Sequence, residues 1–569
     1  MSLTLSDVFL ILAVAWPLLL VTLLMLPGMR LLGRGLIPWA ALPALVLSTL
    51  PADTLRLPAV MLGAGLELDG SGRVFLMLIA SLWLASGILV RDRLHAASSD
   101  LFATMLLLAM SGCFGLVLSD NALLFFAAST LAGYCLYGAL VNEADMQTRK
   151  ACGVLVVLLV VSDLLVFEVL LLLGQAAGAT DFEALRQVFV DHENKNLVLG
   201  LLIIGFGIKL GLLGMHFWVP PVMSRAEPGL LPALLAFMSG AGLLGGLRLI
   251  PLGQLEATGA ASSLQWLAWV TLAYAGLAGM MQVSRRAVLG YTVIVLGSLW
   301  LIVLSACLRQ PLLWSVVAYP SAAALIQSGT ALVVILLIDR VDGPAFSGVL
   351  ARLLSMLSGL AALLLATAPF GLVSLLAGQV PAISILSAMT VIALLAGNTL
   401  FHQDTEPLPG AVKGSVPSMG VAASHRGDLP PISRWVVAVL IISSLLVAGY
   451  QFSYVTPGEA ILGLLIVLAA LAAAVLNARW RLYRLPYIAP GDVLVYIIRG
   501  LVLTKRGTGR LLARSEALWT DMVRLLDRRI RPLATRSDVA GYLESVLLHW
   551  PVALSLLLLL GLLTAWLAV

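Results

Sequence analysis

The sequence predicts an all-α polytopic membrane protein with about sixteen transmembrane helices. Of its 569 residues, 61% are hydrophobic and 11% are charged, and the mean hydropathy is +1.04. Soluble domains carry about 25% charged residues, so this composition is that of a membrane protein. The apolar runs are continuous and about 20 residues long, which is the length that an α-helix needs to cross a bilayer. Continuous runs also exclude a membrane β-barrel, whose strands are short and alternating.

The predicted spans follow one another along most of the chain. They are centred near residues 17, 44, 82, 110, 131, 163, 205, 239, 273, 297, 325, 360, 391, 442, 466 and 558. The first apolar run, from Val8 to Met25, lacks a basic n-region and a small-residue cleavage site. We therefore interpret it as a span and not as a removed signal peptide.

Basic residues are concentrated in the loops that follow odd-numbered spans. These loops contain, among others, Arg30, Arg34, Arg91, Arg93, Arg149, Lys150, Arg225, Arg285 and Arg286, whereas the other loops hold few, chiefly Arg56, Arg73, Arg186, Lys195 and Arg309. The positive-inside rule then predicts an N-terminus outside the cell membrane and cytoplasmic loops after odd spans. The net charge of +5 follows from this topology and does not indicate nucleic-acid binding.

Two polar segments interrupt the apolar pattern late in the chain. Residues 403–434 are rich in Pro, Gly and Ser and predict a flexible cytoplasmic loop. Residues 479–540 are basic, and within them Trp519, Val523, Leu526 and Ile530 recur at helical spacing, which predicts an amphipathic helix at the cytoplasmic interface or on a partner subunit. A solvated basic connector is the alternative. Flanking spans are predicted over 435–478 and a C-terminal span over 546–569.

A lysine stands inside an apolar run. Ile203–Pro228 reads IIGFGIKLGLLGMHFWVPPVMSRAEP, and apart from His216 no ionisable residue lies between Leu197 and Arg225 except Lys209. A lysine at bilayer depth costs about 2.5–3.5 kcal/mol even on the lenient insertion scale, so such a residue usually serves ion or proton movement and has a partner. The four cysteines lack CxxC spacing, which argues against a metal or iron–sulfur site.

This stretch resembles the signature of the antiporter-like membrane subunits of respiratory complex I. The same superfamily includes energy-converting hydrogenases, Mrp-type cation/proton antiporters and an inorganic-carbon uptake system. The resemblance rests on Lys209, on the run His216–Pro220 and on Ala226–Pro228 before the next helix. Weaker matches are Leu62–Arg73, similar to a short extracellular strand and turn with Asp69 in place, Ser284–Gly297, and Thr367–Ser374.

The resemblance implies two inverted five-helix repeats, each with one broken helix, and flanking spans. It places flanking spans in residues 1–100, the first repeat in 101–250 with a broken helix near 209–232, and the second repeat in 264–400. The expected helix breaks are at Pro220 and Pro221 in the first repeat and at Pro369 or Pro381 in the second. Broken helices expose backbone groups that can bind ions within a bilayer.

The resemblance also implies a path of buried ionisable residues across the membrane. The first half of the chain retains some of these residues. Lys209 matches the central lysine of the first repeat, and His216 could take a proton next or be a satisfied histidine at the break. The family's glutamate partner falls on Ser129 or Thr130, which cannot carry its charge. Asp163 and Glu168 remain as counter-charges; they point about 140° apart on an ideal helix, so we expect one of them, preferably Asp163, to face the lysine.

The second half has lost most of the corresponding residues. The family's lysine in the eighth span falls on Gly240 or Ala241, and its histidine and acid in the tenth fall on Val295 and Leu296. The central lysine of the second repeat aligns with Gln327, which can hold water but cannot exchange a proton. The ionisable residue after the second break falls near Leu375.

Two functions remain open from the sequence. One is a membrane subunit of a multisubunit complex that moves protons or other cations, coupled to the chemistry of a partner, with an incomplete path. The other is a non-conducting scaffold that docks catalytic partners, including those of an inorganic-carbon uptake complex. Both predict a multi-pass protein of the cell (inner) membrane that contacts further subunits. No cofactor or metal ligand is expected on this chain, so any redox or carbon chemistry would reside on a partner.

Overall fold

The chain folds into a bundle of apolar helices. A computed structural model describes residues 5–395, with gaps at 27, 52–53, 57–64, 95–99, 143, 253–259, 283–284, 311, 342–348, 370–371, 373–374 and 377–387, and beyond residue 395 it describes isolated positions between 445 and 472. The predicted loop 403–434, the basic segment 479–540 with its amphipathic helix and the C-terminal span 546–569 lie outside the described residues, as does most of 435–478.

The helices follow the chain in order, with one short pair of strands near the start. They are α1 (Leu5–Met25), α2 (Arg30–Leu36), α3 (Leu42–Leu47), β1 (Thr54–Arg56), β2 (Gly65–Glu67), α4 (Gly70–Leu89), α5 (Arg91–Leu94), α6 (Asp100–Leu118), α7 (Ala122–Val141), α8 (Met146–Ala177), α9 (Phe182–Asp191), α10 (Lys195–Leu210), α11 (Val219–Arg225), α12 (Leu231–Phe237), α13 (Gly245–Leu249), α14 (Ala260–Met280), α15 (Arg285–Arg309), α16 (Leu312–Val341) and α17 (Val349–Thr367). Short 3₁₀ turns occupy Ile37–Trp39, His216–Trp218 and Pro228–Leu230, and a π-helix joins α12 to α13 over Met238–Leu244.

Eight helical segments of the described chain are long and apolar enough to cross a bilayer. These are Leu5–Met25, Arg30–Leu47, Gly70–Leu89, Asp100–Leu118, Ala122–Val141, Met146–Ala177, Pro228–Leu249 and Arg285–Arg309. The predicted helical, multi-pass class is confirmed. The number sixteen stays a prediction, since the last predicted spans lie largely outside the described residues.

The chain is not entirely α-helical as predicted, because it also contains one short pair of β-strands. Strands β1 and β2 pair antiparallel, with Leu55 opposite Leu66, directly before α4. The backbone N–H of Asp120 donates to the carbonyl of Gly65, which ties this hairpin to the turn between α6 and α7. The hairpin lies where the sequence resembles the family's strand and turn, and it covers one end of the bundle.

Helix starts in this part of the chain are fixed by side-chain caps. Asp69 accepts from the N–H of Gly72 at α4, Asn121 from that of Leu124 at α7, and Asp145 from that of Thr148 at α8. Such caps satisfy backbone donors that the first helical turn leaves open.

Close helix packing places α6, α7, α8 and α10 side by side. Gly112 on α6 faces the backbone of α7, and a Cβ there would lie 2.7 Å from the Ala132 nitrogen and 2.8 Å from the Ala128 oxygen. Small residues at such contacts let helix backbones approach closely within a membrane. The result is a closely packed framework on which α7, α8 and α10 each present a polar side chain inward.

Candidate functional site

The helix that carries Lys209 ends one residue after it. Gly211 adopts a left-handed conformation with φ of 70°, which glycine reaches without strain, and its N–H caps the carbonyls of the last turn. The Trp218 indole donates to the carbonyl of Ile208 over 2.8 Å. A carbonyl freed by the break is therefore satisfied by the chain that follows the break.

The position of the break differs from the expectation. The prolines predicted to cause it, Pro220 and Pro221, lie in the first turn of α11, where the missing N–H of proline costs nothing. The helix has already stopped at Gly211, and the segment from Leu212 to Trp218 separates α10 from α11. The glycine ends one half-helix, and the prolines start the next.

Lys209 is buried and forms an ion pair. Its side chain is 1% exposed, and its Nζ lies 2.9 Å from Oδ1 of Asp163, whose side chain is 11% exposed. The same Nζ donates to Oγ of Ser129 over 2.8 Å. Three helices, α7, α8 and α10, thus contribute one group each to a polar site in an apolar bundle, and the charges of the lysine and the aspartate compensate one another.

The aspartate is held in place by its own surroundings. Ser162, its neighbour on α8, donates to the carbonyl of Gly205 on α10 over 2.7 Å. Gly205 is a point of close approach, since a Cβ there would lie 2.8 Å from the Val166 side chain. The Tyr134 side chain on α7 lies close enough to Asp163 to interact with its carboxylate. The separation between α8 and α10 is therefore fixed at the level of the ion pair.

Glu168, the alternative counter-charge, lies elsewhere. It is on the exposed side of α8, whereas Asp163 is on the buried side that faces α10. The two residues are five positions apart on one helix, which separates their directions by about 140°. Of the two acids, the structure brings Asp163 to the lysine.

His216 lies beyond the break and contacts another helix. It is 1% exposed, and its Nε2 lies 3.3 Å from the hydroxyl of Tyr274 on α14. The two rings meet edge to face at 4.9 Å between centroids. The helix ends between Lys209 and His216, so the two residues lie on separate helical segments.

In the second half, Gln327 binds the end of another helix. It is fully buried on α16, and its amide nitrogen donates to the carbonyl of Leu364 over 2.8 Å and to the Thr367 hydroxyl over 3.2 Å. These groups form the last turn of α17, and Pro369 lies in the turn directly after it. Within the described chain, Oε1 of Gln327 has no hydrogen-bond partner. Pro381, the other candidate for this break, lies outside the described residues.

Apolar packing fills the positions at which the family would carry further charges. Gly240 and Ala241 lie in the π-helix, and a Cβ at Gly240 would come 2.8 Å from Leu116 and 2.9 Å from Ile79. Val295 and Leu296 are buried on α15. A lysine side chain at residue 240 would need these neighbours to move apart.

A buried arginine closes the end of the bundle beneath the hairpin. Arg248 on α13 lies 3.3 Å from the carboxylate of Asp69 and donates to the carbonyls of Val117 and Ser119 over 2.7 and 2.8 Å. It also donates to the carbonyl of Leu116 over 3.2 Å. Since these carbonyls end α6, the guanidinium satisfies them and ties α6 to α13 and to the start of α4.

Above Arg248 lies an open cleft of about 430 Å³ with an acidic lining. It is lined by Thr54, Leu55, Leu66, Glu67, Asp69, Ser119, Asp120, Asp181, Phe182, Glu183, Arg186 and Arg248. Burial, and then the nearby Asp69 carboxylate, raise the pKa of Glu67. The hydrogen bond from Arg186 lowers the pKa of Glu183, which also lines the cleft.

Several residues of this arrangement carried no clear sequence signal. In the sequence, Ser129 is one of two positions at which the resemblance expects a glutamate, and its role as an acceptor for Lys209 depends on a contact across 80 residues of chain. Tyr134 and Arg248 belong to no motif of the sequence. A polar residue within an apolar run is the signal that could have found them. Among the described residues, no group of His, Cys, Asp and Glu side chains is placed to hold a metal ion.

The helices form a membrane-spanning bundle, and an ion pair is buried inside it beside a broken helix. This combination is typical of membrane proteins that carry ionisable groups within the bilayer. The family model described as the NADH:quinone oxidoreductase/Mrp antiporter transmembrane domain matches residues 119–397. NADH-quinone oxidoreductase subunit N of Deinococcus radiodurans is 28% identical over 265 residues, 45% of this chain and 51% of that one. Hydrogenase-4 component B of Escherichia coli is 24% identical over 165 residues, 29% of this chain and 24% of that one. The match thus spans about half the length of the first relative and a quarter of the second.

Two solved structures share the fold. The Mrp complex from a Dietzia species contains a chain with a TM-score of 0.68 and 15% identity, covering 94% of this chain and 63% of that one. The membrane-bound sulfane sulfur reductase, an archaeal respiratory membrane complex, contains one with a TM-score of 0.63 and 15% identity, covering 98% of this chain and all of the other. Residues 119–397 therefore match the transmembrane domain found in complex I and Mrp-type antiporter subunits, and the chain is an integral multi-pass membrane protein. Its relatives are subunits of multisubunit membrane complexes.

Proposed function

We propose that this chain is a membrane subunit of a multisubunit complex that translocates protons or other cations, and that its charge-carrying site is confined to the first half. The observation that carries the proposal is Lys209, which is buried at the end of a broken helix 2.9 Å from Asp163. A buried lysine loses its charge more easily through desolvation and retains it through a nearby acid, so movement of either helix can shift a proton. The coupled redox or other chemistry is supplied by partner chains.

The architecture proposed for this function is the one that the resemblance implies. It has about sixteen spans, with inverted repeats over 101–250 and 264–400 and the N-terminus outside the cell membrane. Under this topology, the hairpin and the acidic cleft above Arg248 face outward. The carboxylates there would concentrate cations near the outer end of the first half, since a cleft of one sign raises the local concentration of counter-ions.

The alternative function is a non-conducting scaffold that docks catalytic partners. It is favoured by Gln327, which cannot exchange a proton, and by the apolar packing around Gly240. In this alternative the ion pair only joins α8 to α10.

Ion flux through the assembled complex distinguishes the two functions. The variant Lys209→Met, Asp163→Leu removes both charges together, which can be nearly neutral for folding. Proton uptake into vesicles is measured and normalised to the amount of complex. If the chain conducts, normalised flux should be lost in this variant. Flux at the wild-type level would contradict conduction and support the scaffold function. The matched control is Arg225→Gln with Gln147→Leu, which removes a polar contact at the surface.

A further inference from the structure

One face of α8 combines an apolar stripe with a single carboxylate. The stripe, which we term the α8 outer face, consists of Val157, Val160, Val161, Leu164, Phe167, Glu168 and Leu171. These positions recur at intervals of three and four residues, so they lie on one side of the helix. Val157, Leu164 and Leu171 are 62%, 64% and 51% exposed. The opposite side of α8 packs on the bundle through Ser162 and Asp163.

Glu168 lies at a depth where no water is expected. The first polar residue after it on α8 is Gln175, seven residues or about 10 Å further along the helix. On the other side, Ser162 and Asp163 face the bundle, and the other residues back to Cys152 are apolar or glycine. The ring of Phe167 stacks with that of Phe126, at 5.5 Å between centroids, which places Glu168 at the level of the second turn of α7. A carboxylate on a lipid-facing surface at this depth is unfavourable, and intramembrane acids nearly always face protein or a water-filled cavity.

The described chain does not supply a counter-charge for Glu168. Of the described residues, none forms an ion pair with it, and the two buried basic side chains, Lys209 and Arg248, already pair with Asp163 and Asp69. The remaining apolar segments of the sequence, at 377–400, 435–455, 459–476 and 550–569, contain no Lys or Arg. A second copy packed symmetrically on this face would bring one Glu168 towards the other, which like charges disfavour.

We propose that the α8 outer face is a docking surface for a membrane-spanning helix of a different subunit, which presents a Lys or Arg to Glu168 in the half of the bilayer nearer the β-hairpin. The apolar residues of the stripe pack on this helix, and the charge pair fixes its height and its identity. The proposal rests on the membership in a multisubunit complex proposed above, and it adds the chemistry of one partner.

Assembly of the complex in its native membrane tests the proposal. The full chain is produced at its normal level with Glu168→Gln, Glu168→Leu or Glu168→Lys, and with Glu193→Leu as a control that removes an exposed glutamate outside the spans. The amount of chain in the membrane reports folding, and the fraction extracted in mild detergent with its partner chains reports assembly. Removing one partner of a desolvated charge pair leaves the other unpaired, so we expect the assembled fraction to fall by at least about tenfold in the Leu and Lys variants. The Gln variant should lie between these and the control, with unchanged amounts in the membrane.

Charge exchange identifies the partner. A photo-reactive residue at Leu164 should cross-link to one helix that carries a Lys or Arg, and changing that residue to Glu should restore assembly of Glu168→Lys. Wild-type assembly of Glu168→Leu would overturn the proposal, because it would mean that Glu168 faces lipid. Wild-type assembly of Glu168→Gln would also overturn it, since hydrogen bonding without charge would then suffice. A wild-type chain that is extracted without any partner would instead refute the proposed membership in a complex.

Discussion

Lys209 and Gln327 occupy comparable places in the two halves of the described chain, and they differ in charge. Each is buried next to the last turn of a helix that stops within the bundle. Lys209 pairs with a carboxylate and a serine hydroxyl, whereas Gln327 donates to a carbonyl and a hydroxyl and leaves its own oxygen without a partner among the described residues. The first site holds two opposite charges that proton transfer can neutralise. The second site holds only dipoles, so it can bind water but cannot exchange a proton.

The largest effect is expected from removing one charge of the first site. In Asp163→Leu, the ammonium of Lys209 stays buried with only Ser129 as acceptor, and breaking a buried pair in this way costs about 3–5 kcal/mol. We expect the amount of folded chain in the membrane to fall strongly, and to recover when Lys209→Met is added. If the single and the double variant were equally depleted, the ion pair would not be the reason for the loss.

Arg248→Met should have the next largest effect. The carbonyls of Leu116, Val117 and Ser119 would lose their donor, and a buried polar group left without its partner costs about 1–3 kcal/mol. We expect the melting temperature of the purified chain to drop clearly. Asp69→Asn is the matched control, because Asp69 is partly exposed and asparagine can still cap α4, so its drop should be smaller. Equal drops would mean that the Asp69 contact, and not the carbonyls, carries the effect.

Gln327→Leu should change stability little. It removes two hydrogen bonds but also removes an oxygen that has no partner among the described residues, and these contributions oppose each other. We expect a change within about 1 kcal/mol, measured as thermal unfolding of the purified chain. A loss as large as that of Asp163→Leu would contradict the difference drawn between the two halves.

The smallest effect is a pH dependence at the outer cleft. The pKa of Glu67 is raised by burial, so its protonated form is the one that the fold favours, and its contribution to stability is present at low pH and lost as the pH rises through the raised pKa. Glu183 has a lowered pKa through Arg186, so its contribution is present above the usual glutamate pKa and lost as the pH falls through the lowered one. The protection factors of the hairpin amides, corrected for the intrinsic exchange rate at each pH, should therefore rise on mild acidification, and Glu67→Gln should abolish this trend. If the trend persisted in Glu67→Gln and disappeared in Glu183→Gln, Glu67 would not be its cause and the prediction would be wrong.

The sequence predicted the membrane class because hydrophobicity is a local property that accumulates over each span. It also indicated Lys209, since a lysine at bilayer depth is costly and usually serves ion or proton movement. The choice between Asp163 and Glu168 depended on how α8 is rotated in the bundle, and that rotation is set by contacts such as Ser162 with Gly205. Proline is the stronger sequence signal for a helix break, so the sequence indicates Pro220 and Pro221. The helix instead ends at Leu210 and is capped by Gly211, whose left-handed conformation is visible only in the structure. Roles such as that of Arg248 arise from residues far apart in the chain.

One measurement compares the two halves directly. The variant Lys209→Gln, Asp163→Asn makes the first site neutral and hydrogen-bonded, like the second, and Gln327→Leu removes the polar group of the second site. Cation-coupled proton flux is measured in vesicles that contain the complex and is normalised to the assembled amount. We expect flux to be lost in the first variant and retained in the second. Flux retained in Lys209→Gln, Asp163→Asn, or lost in Gln327→Leu at normal assembly, would contradict the confinement of the charge-carrying site to the first half.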